Sequence, residues 1–174
     1  MPIEQYREAV LLLLVSIAAV NDLATRRIPN RLLLAGLACA LCLHLLSANP
    51  GSSLLTALSG MGVGLIVFLP FYLLRGMAAG DVKLMATIGA FTGPGEAFTI
   101  AVLTWCAGGV MALFLIMVRG RVRLAFVNIG QMMAGLLAPG GAVAMPDRQQ
   151  SAGSMPYGLA IAVGTIIVLV RHYG

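Results

Sequence analysis

The chain has 174 residues, 60% of them hydrophobic and 10% charged, with a mean hydropathy of +0.97 and a formal net charge of +5. A soluble domain carries about 25% charged residues, so this composition excludes a water-soluble globule and leaves any chemistry to residues in or beside a membrane. The basic residues fall between apolar runs, so the expected partners are anionic membrane lipids and no nucleic acid is expected.

At about 20 residues per crossing, the apolar runs predict an all-α polytopic membrane helix bundle. It has six transmembrane helices and a cytoplasmic interfacial helix in a single domain, 1–174. The first span covers about 8–24. Its apolar run, Ala9 to Val20, resembles a signal-peptide core, but Asp22 follows directly and the remainder is still multispan. Between Arg31 and Arg75 lie 43 residues without a charge, broken at Ser47 to Ser53 into spans at 31–46 and 54–74. Pro29 and Asn30 suit a turn followed by an N-cap for the second span.

The fourth span, 77–92, is short. Gly93-Pro94-Gly95 closes it, and a dozen residues at about 1.5 Å each fall short of a 30 Å hydrocarbon core. Charge decides in its favour. If it crosses, one side holds Arg26, Arg27, Arg31, Arg75, Lys83, Arg119, Arg121, Arg123 and Arg148, nine of the eleven basic residues. If it does not, the Arg119 to Arg123 cluster lies on the wrong side for the positive-inside rule. Spans at 97–118 and 157–170 complete the six, with both termini periplasmic. Within 124–137, Asn128, Gln131 and Gly135 share one helical stripe, which suits the interfacial helix. Ala138 to Met155 reads as a loop.

Cys39, Cys42 and Cys106 sit in apolar stretches. Their odd number and the missing second ligand pair speak against a disulfide framework or structural zinc. His44 and His172 lack a metal-spaced cluster, so no metal site is expected. Gly60 and Gly64 form a GxxxG in the third span, read as an intramolecular packing face.

Asp22 and Asp81 stand out among only six acids. The predicted topology sets Asp22 at the inner end of span one and Asp81 at the inner start of span four. Acids within membrane spans are costly and mark functional sites by default. Two carboxylates in one poorly solvated place do not both ionise readily. One acts as base and the other holds a proton, so the pair can activate a water and protonate a leaving amine, with no metal or cofactor. Gly80 offers backbone freedom beside Asp81. The opposing readings are a solvated Asp22 beside Arg26 and an Asp81 that merely serves as an N-cap.

These residues resemble a known family. Asp22-Leu23-Ala24-Thr25-Arg26-Arg27-Ile28-Pro29-Asn30 is similar to the first aspartate block of type IV prepilin peptidases. Ala78-Ala79-Gly80-Asp81-Val82-Lys83-Leu84 is similar to their GxGD-type second block. Met155-Pro156-Tyr157-Gly158-Leu159-Ala160-Ile161-Ala162 resembles their last-helix signature. The blocks occur in family order across nearly the whole chain, with Ala78 where the family has the first glycine of GxGD.

The resemblance implies a catalytic pair at Asp22 and Asp81, with Gly80, Lys83, Ala78, Pro29 and Asn30 supporting it. It implies cleavage of a prepilin leader at the cytoplasmic face of a bacterial inner membrane. Larger members carry a cytoplasmic region with two CxxC pairs and methylate the product. This chain resembles the short Flp, or tight-adherence, form, for which methylation is not expected. Three alternatives stay open: another GxGD-type intramembrane protease, a small proton-coupled transporter using both acids, and an inactive pilus-assembly factor. Asn21 before the first acid, where signal-peptide-peptidase relatives have Tyr, counts against the first. The helix-end position of both acids counts against the second.

Overall fold

Proline and glycine set the helix boundaries. The computed structural model describes residues 2–74, 76–118 and 157–171, and among these every regular element is helical. They are α1 (Pro2–Thr25), α2 (Asn30–Leu45), α3 (Pro50–Leu73), α4 (Ala79–Thr92), α5 (Pro94–Val118) and α6 (Tyr157–Arg171). The expected all-helical membrane bundle is therefore present. The interfacial segment at 124–137, the following loop, and Arg75, Arg119, Arg121, Arg123 and Arg148 lie outside the described residues.

Where the boundaries differ from expectation, local chemistry explains it. Pro50 begins α3 four residues early, because proline is tolerated at the first helical position where its missing N–H has no partner to lose. The Asn49 carbonyl then accepts from the Ser53 N–H at 3.1 Å and the Ser52 hydroxyl at 3.1 Å. Gly93 adopts φ +82°, which favours glycine, and turns the chain from α4 straight into α5.

Three helical stretches, Glu4–Thr25, Pro50–Leu73 and Pro94–Leu115, are long and apolar enough to cross a membrane. The helices Asn30–Leu45 and Tyr157–Arg171 are apolar but shorter. At 14 residues, α4 is only about 21 Å long. Its burial resolves the difficulty. From Asp81 to Phe91 every residue but Lys83 is buried, and α1, α2, α3 and α6 all pack against it. A helix apolar around most of its circumference belongs inside a bundle, and one wrapped by protein need not match the lipid thickness. Leu84, Met85 and Ile88 of α4 thereby share the core with Leu11, Leu14 and Val15 of α1 and Ile161 of α6.

The GxxxG motif packs within the chain, as expected. A Cβ on Gly60 would overlap the Gly89 carbonyl oxygen, and one on Gly64 would sit 2.5 Å from the Met85 carbonyl oxygen. Small residues let α3 and α4 backbones touch. Gly60→Ala is expected to cost roughly 1–3 kcal/mol by overpacking, read as a lowered Tm in detergent. Gly62→Ala, with open space around its Cβ, should hold or raise the Tm.

Met1–Gly108 with Pro156–Gly174 forms one unit and Gly109–Met155 another. The described part of the second is the end of α5, where Val110, Leu113, Phe114 and Met117 are exposed.

Candidate active site

Asp22 lies in the last turn of α1, and the chain reverses immediately after it. Arg26 takes a left-handed φ of +54°, and its N–H donates to the Asp22 carbonyl at 2.9 Å. This left-handed termination satisfies a helix-end carbonyl. Pro29 is extended, with φ −64° and ψ 128°, and serves as N-cap of α2; its carbonyl accepts from the N–H groups of Leu32 and Leu33. Asn30 is therefore the first helical residue rather than the N-cap. Proline's fixed φ suits the extended cap, and this frees the Asn30 side chain to accept from Lys83 Nζ at 3.2 Å.

Asp81 is not an N-cap either. Ala78 holds that position, one residue before α4 begins at Ala79, so the helix starts two residues later than expected. Asp81 stands three residues further on. Its N–H donates to the Ala78 carbonyl at 3.1 Å, and its Oδ2 accepts from the Ala78 N–H at 3.2 Å. The backbone of residue 78 makes both bonds, so alanine serves there as well as glycine. Gly80 is explained by closeness rather than freedom. It lacks a positive φ, and an added Cβ would stand 3.3 Å from Ile28 Cβ, so the α1–α2 connection packs on the first turn of α4.

The third wall is the amino end of α6. The Gly158 N–H donates to Asp22 Oδ2 at 2.7 Å, across 136 positions of sequence. A Cβ on Gly158 would lie 2.8 Å from that oxygen, and one on Gly108 would lie 3.2 Å from Tyr157 Cε1. Glycines at these two points let the backbone and the ring approach closely.

The two carboxylates are brought together. Asp22 is 6% exposed and Asp81 5%, and they lie within electrostatic reach of each other. Tyr157 is within electrostatic reach of Asp81. Each carboxylate spends Oδ2 on one backbone N–H, and among the described residues no other donor to either is seen. Each carboxylate thus keeps its Oδ1 without a protein donor among the described residues. Ala78 and Gly80 belong to this cluster. Pro29, Asn30 and Lys83 form the adjoining tie between α2 and α4. Gly158 and Tyr157 escaped the residue-level reading, although they stand in the block that resembled the family's last-helix signature. Backbone donation leaves no side-chain pattern to detect.

His44 and the cysteines have structural roles or none at the site, while the buried Trp105 Nε1 has no hydrogen-bond partner among the described residues. His44 is buried with Nε2 2.9 Å from the Ala90 carbonyl oxygen, at the other end of α4. The three cysteines are exposed on apolar helices. Among the described residues, no group of three or more His, Cys, Asp or Glu side chains is arranged to hold a metal ion.

Comparison with protein families finds that residues 9–113 match the type IV leader peptidase family. The matched region is more than half of the chain and contains both carboxylates, while α6 lies beyond it. Comparison with curated proteins and with solved structures gives no match.

Proposed function

This chain belongs to the type IV leader peptidase family, and on that premise we propose that it is an aspartic endopeptidase with Asp22 and Asp81 as its dyad. Its substrates are prepilins, namely Flp-type pilins and pseudopilins, whose N-terminal leader it removes. The observation that carries the reading is the convergence of α1, α4 and α6, which buries these two acids within electrostatic reach of one another.

The chemistry uses a water held between the carboxylates. The ionised carboxylate takes a proton from that water as its oxygen bonds to the scissile carbonyl carbon. The protonated carboxyl gives its proton to the carbonyl oxygen. Collapse of the tetrahedral intermediate breaks the C–N bond, and a proton passes to the departing amine, leaving a new carboxyl terminus and a new amino terminus. The two acids exchange roles during the cycle, so only the pair has a defined protonation state.

The site would face the cytoplasm of a bacterial inner membrane. Arg26, Arg27, Arg31 and Lys83 surround the carboxylate end of the bundle, which supports that orientation by the positive-inside rule. A prepilin joins a basic leader to an apolar helix, and a dyad at the inner interface meets that junction without crossing the bilayer. Anionic lipids would balance the surrounding basic residues.

The test uses the full chain in proteoliposomes with a synthetic prepilin-like substrate. Intact mass should show one cut at the leader junction, unchanged by a chelator. With S-adenosylmethionine present, the new amino terminus should carry no added methyl group. Failure to cut, or loss of cutting on chelation, overturns the aspartic reading. A methylated product overturns the unmethylated one.

A further inference from the structure

Lys83 faces away from the dyad. At 3.6 residues per turn it is rotated about 200° from Asp81 around α4, and it is the one exposed residue between Asp81 and Phe91. On this side α2, α3 and α4 enclose a groove of about 390 Å³. Leu33 and Leu37 of α2 and Met61 and Leu65 of α3 form its walls, and Asn30 and Lys83 form a polar rim.

Three observations define what fits. The rim lies near the amino ends of α2 and α4, the ends that also bear Asp81 and adjoin Asp22, so the groove runs inward from that end of the bundle. From Asn30 to Leu37 it extends about 10 Å. Over that length its walls are aliphatic, from Leu33 and Leu37 to Met61 and Leu65, so what fits below the rim is an apolar chain. The charged group of the rim is a donor. Lys83 uses one of its three N–H groups on Asn30 Oδ1 and keeps two for an incoming acceptor, beside the two N–H groups of the Asn30 amide.

We propose that this groove is a binding site for one anionic phospholipid. Its acyl chain lies along Leu33, Leu37, Met61 and Leu65, and its phosphate accepts from Lys83 and Asn30. The pairing follows charge-assisted hydrogen bonding at the headgroup level above a buried apolar tail. The site is separate from the dyad and does not depend on the peptidase reading.

The full chain, delipidated in neutral detergent, is titrated with phosphatidylglycerol or phosphatidylcholine and followed by native mass spectrometry. Phosphatidylglycerol should form a one-to-one adduct in preference to phosphatidylcholine. Lys83→Ala should weaken that adduct roughly five- to tenfold, and Lys83→Arg should restore it. Arg31→Ala removes an equal charge outside the groove and should leave the preference in place. Ala86→Leu fills the groove floor and should weaken both lipids. Each variant is checked for helical content and elution. Equal retention of the two lipids, a preference surviving Lys83→Ala, or a preference lost equally with Arg31→Ala overturns the site.

Discussion

Asp22→Asn and Asp81→Asn should each abolish leader cleavage while the bundle remains assembled. Asparagine keeps the shape of the side chain and an oxygen that can still accept from the Gly158 N–H or the Ala78 N–H, so the local hydrogen bonds survive. It cannot take or return a proton. Loss of general acid–base catalysis alone costs about 10²–10⁴-fold, and each acid serves as both base and acid in one cycle. The loss should therefore reach the upper end of that range from either site. The double variant should be no worse than either single, because the carboxylates act as one unit. The measurement is the rate of leader release, followed by gel shift and intact mass, beside elution and Tm in the same detergent. Cleavage at the wild-type rate with either acid neutralised would sink the dyad. Loss of cleavage together with a collapsed Tm would mark a structural carboxylate instead.

Much of this site was legible because membrane segments carry so few charges. Asp22 and Asp81 are conspicuous against apolar surroundings, and the three blocks of resemblance pair them from sequence alone. Helix boundaries were less legible where proline has two meanings. Pro50 reads as a breaker yet starts α3, and Pro29 caps α2 so that Asn30 turns to Lys83. The position of α4 was hidden for another reason. Length alone says that 14 residues are too few to cross, while their burial on nearly every side depends on four other helices. The hydrogen bond between residues 22 and 158 was the least visible of all. Its donor is a peptide N–H, available at every residue except proline, so only the packing of α6 on α1 selects it.

Gly158→Ala tests that packing directly. The added methyl would lie 2.8 Å from Asp22 Oδ2, 2.9 Å from its Cβ and 3.1 Å from its Cγ, so either the carboxylate turns away or the first turn of α6 retreats. Both responses lengthen the 2.7 Å bond that fixes Asp22. A displacement near 1 Å at a reacting group costs on the order of 10²-fold in rate. The expected result is a fall of that size in kcat with little change in KM. Some stability is lost as well, because overpacking costs about 1–3 kcal/mol. Gly164→Ala separates the two effects. It lies in the same helix, and its Cβ would stand 2.8 Å from Thr104 Oγ1 and 3.0 Å from the Ile100 carbonyl oxygen. The crowding is comparable, but the neighbour is α5 rather than Asp22. Gly164→Ala should lower the Tm at least as much while keeping kcat within a few-fold of wild type. If both variants lose cleavage in proportion to stability, α6 only supports the fold. If Gly158→Ala cleaves at the full rate, the position of Asp22 does not depend on α6. A selective loss at residue 158, outside the region matched to the family, would mean that the amino end of α6 holds Asp22 in its working position.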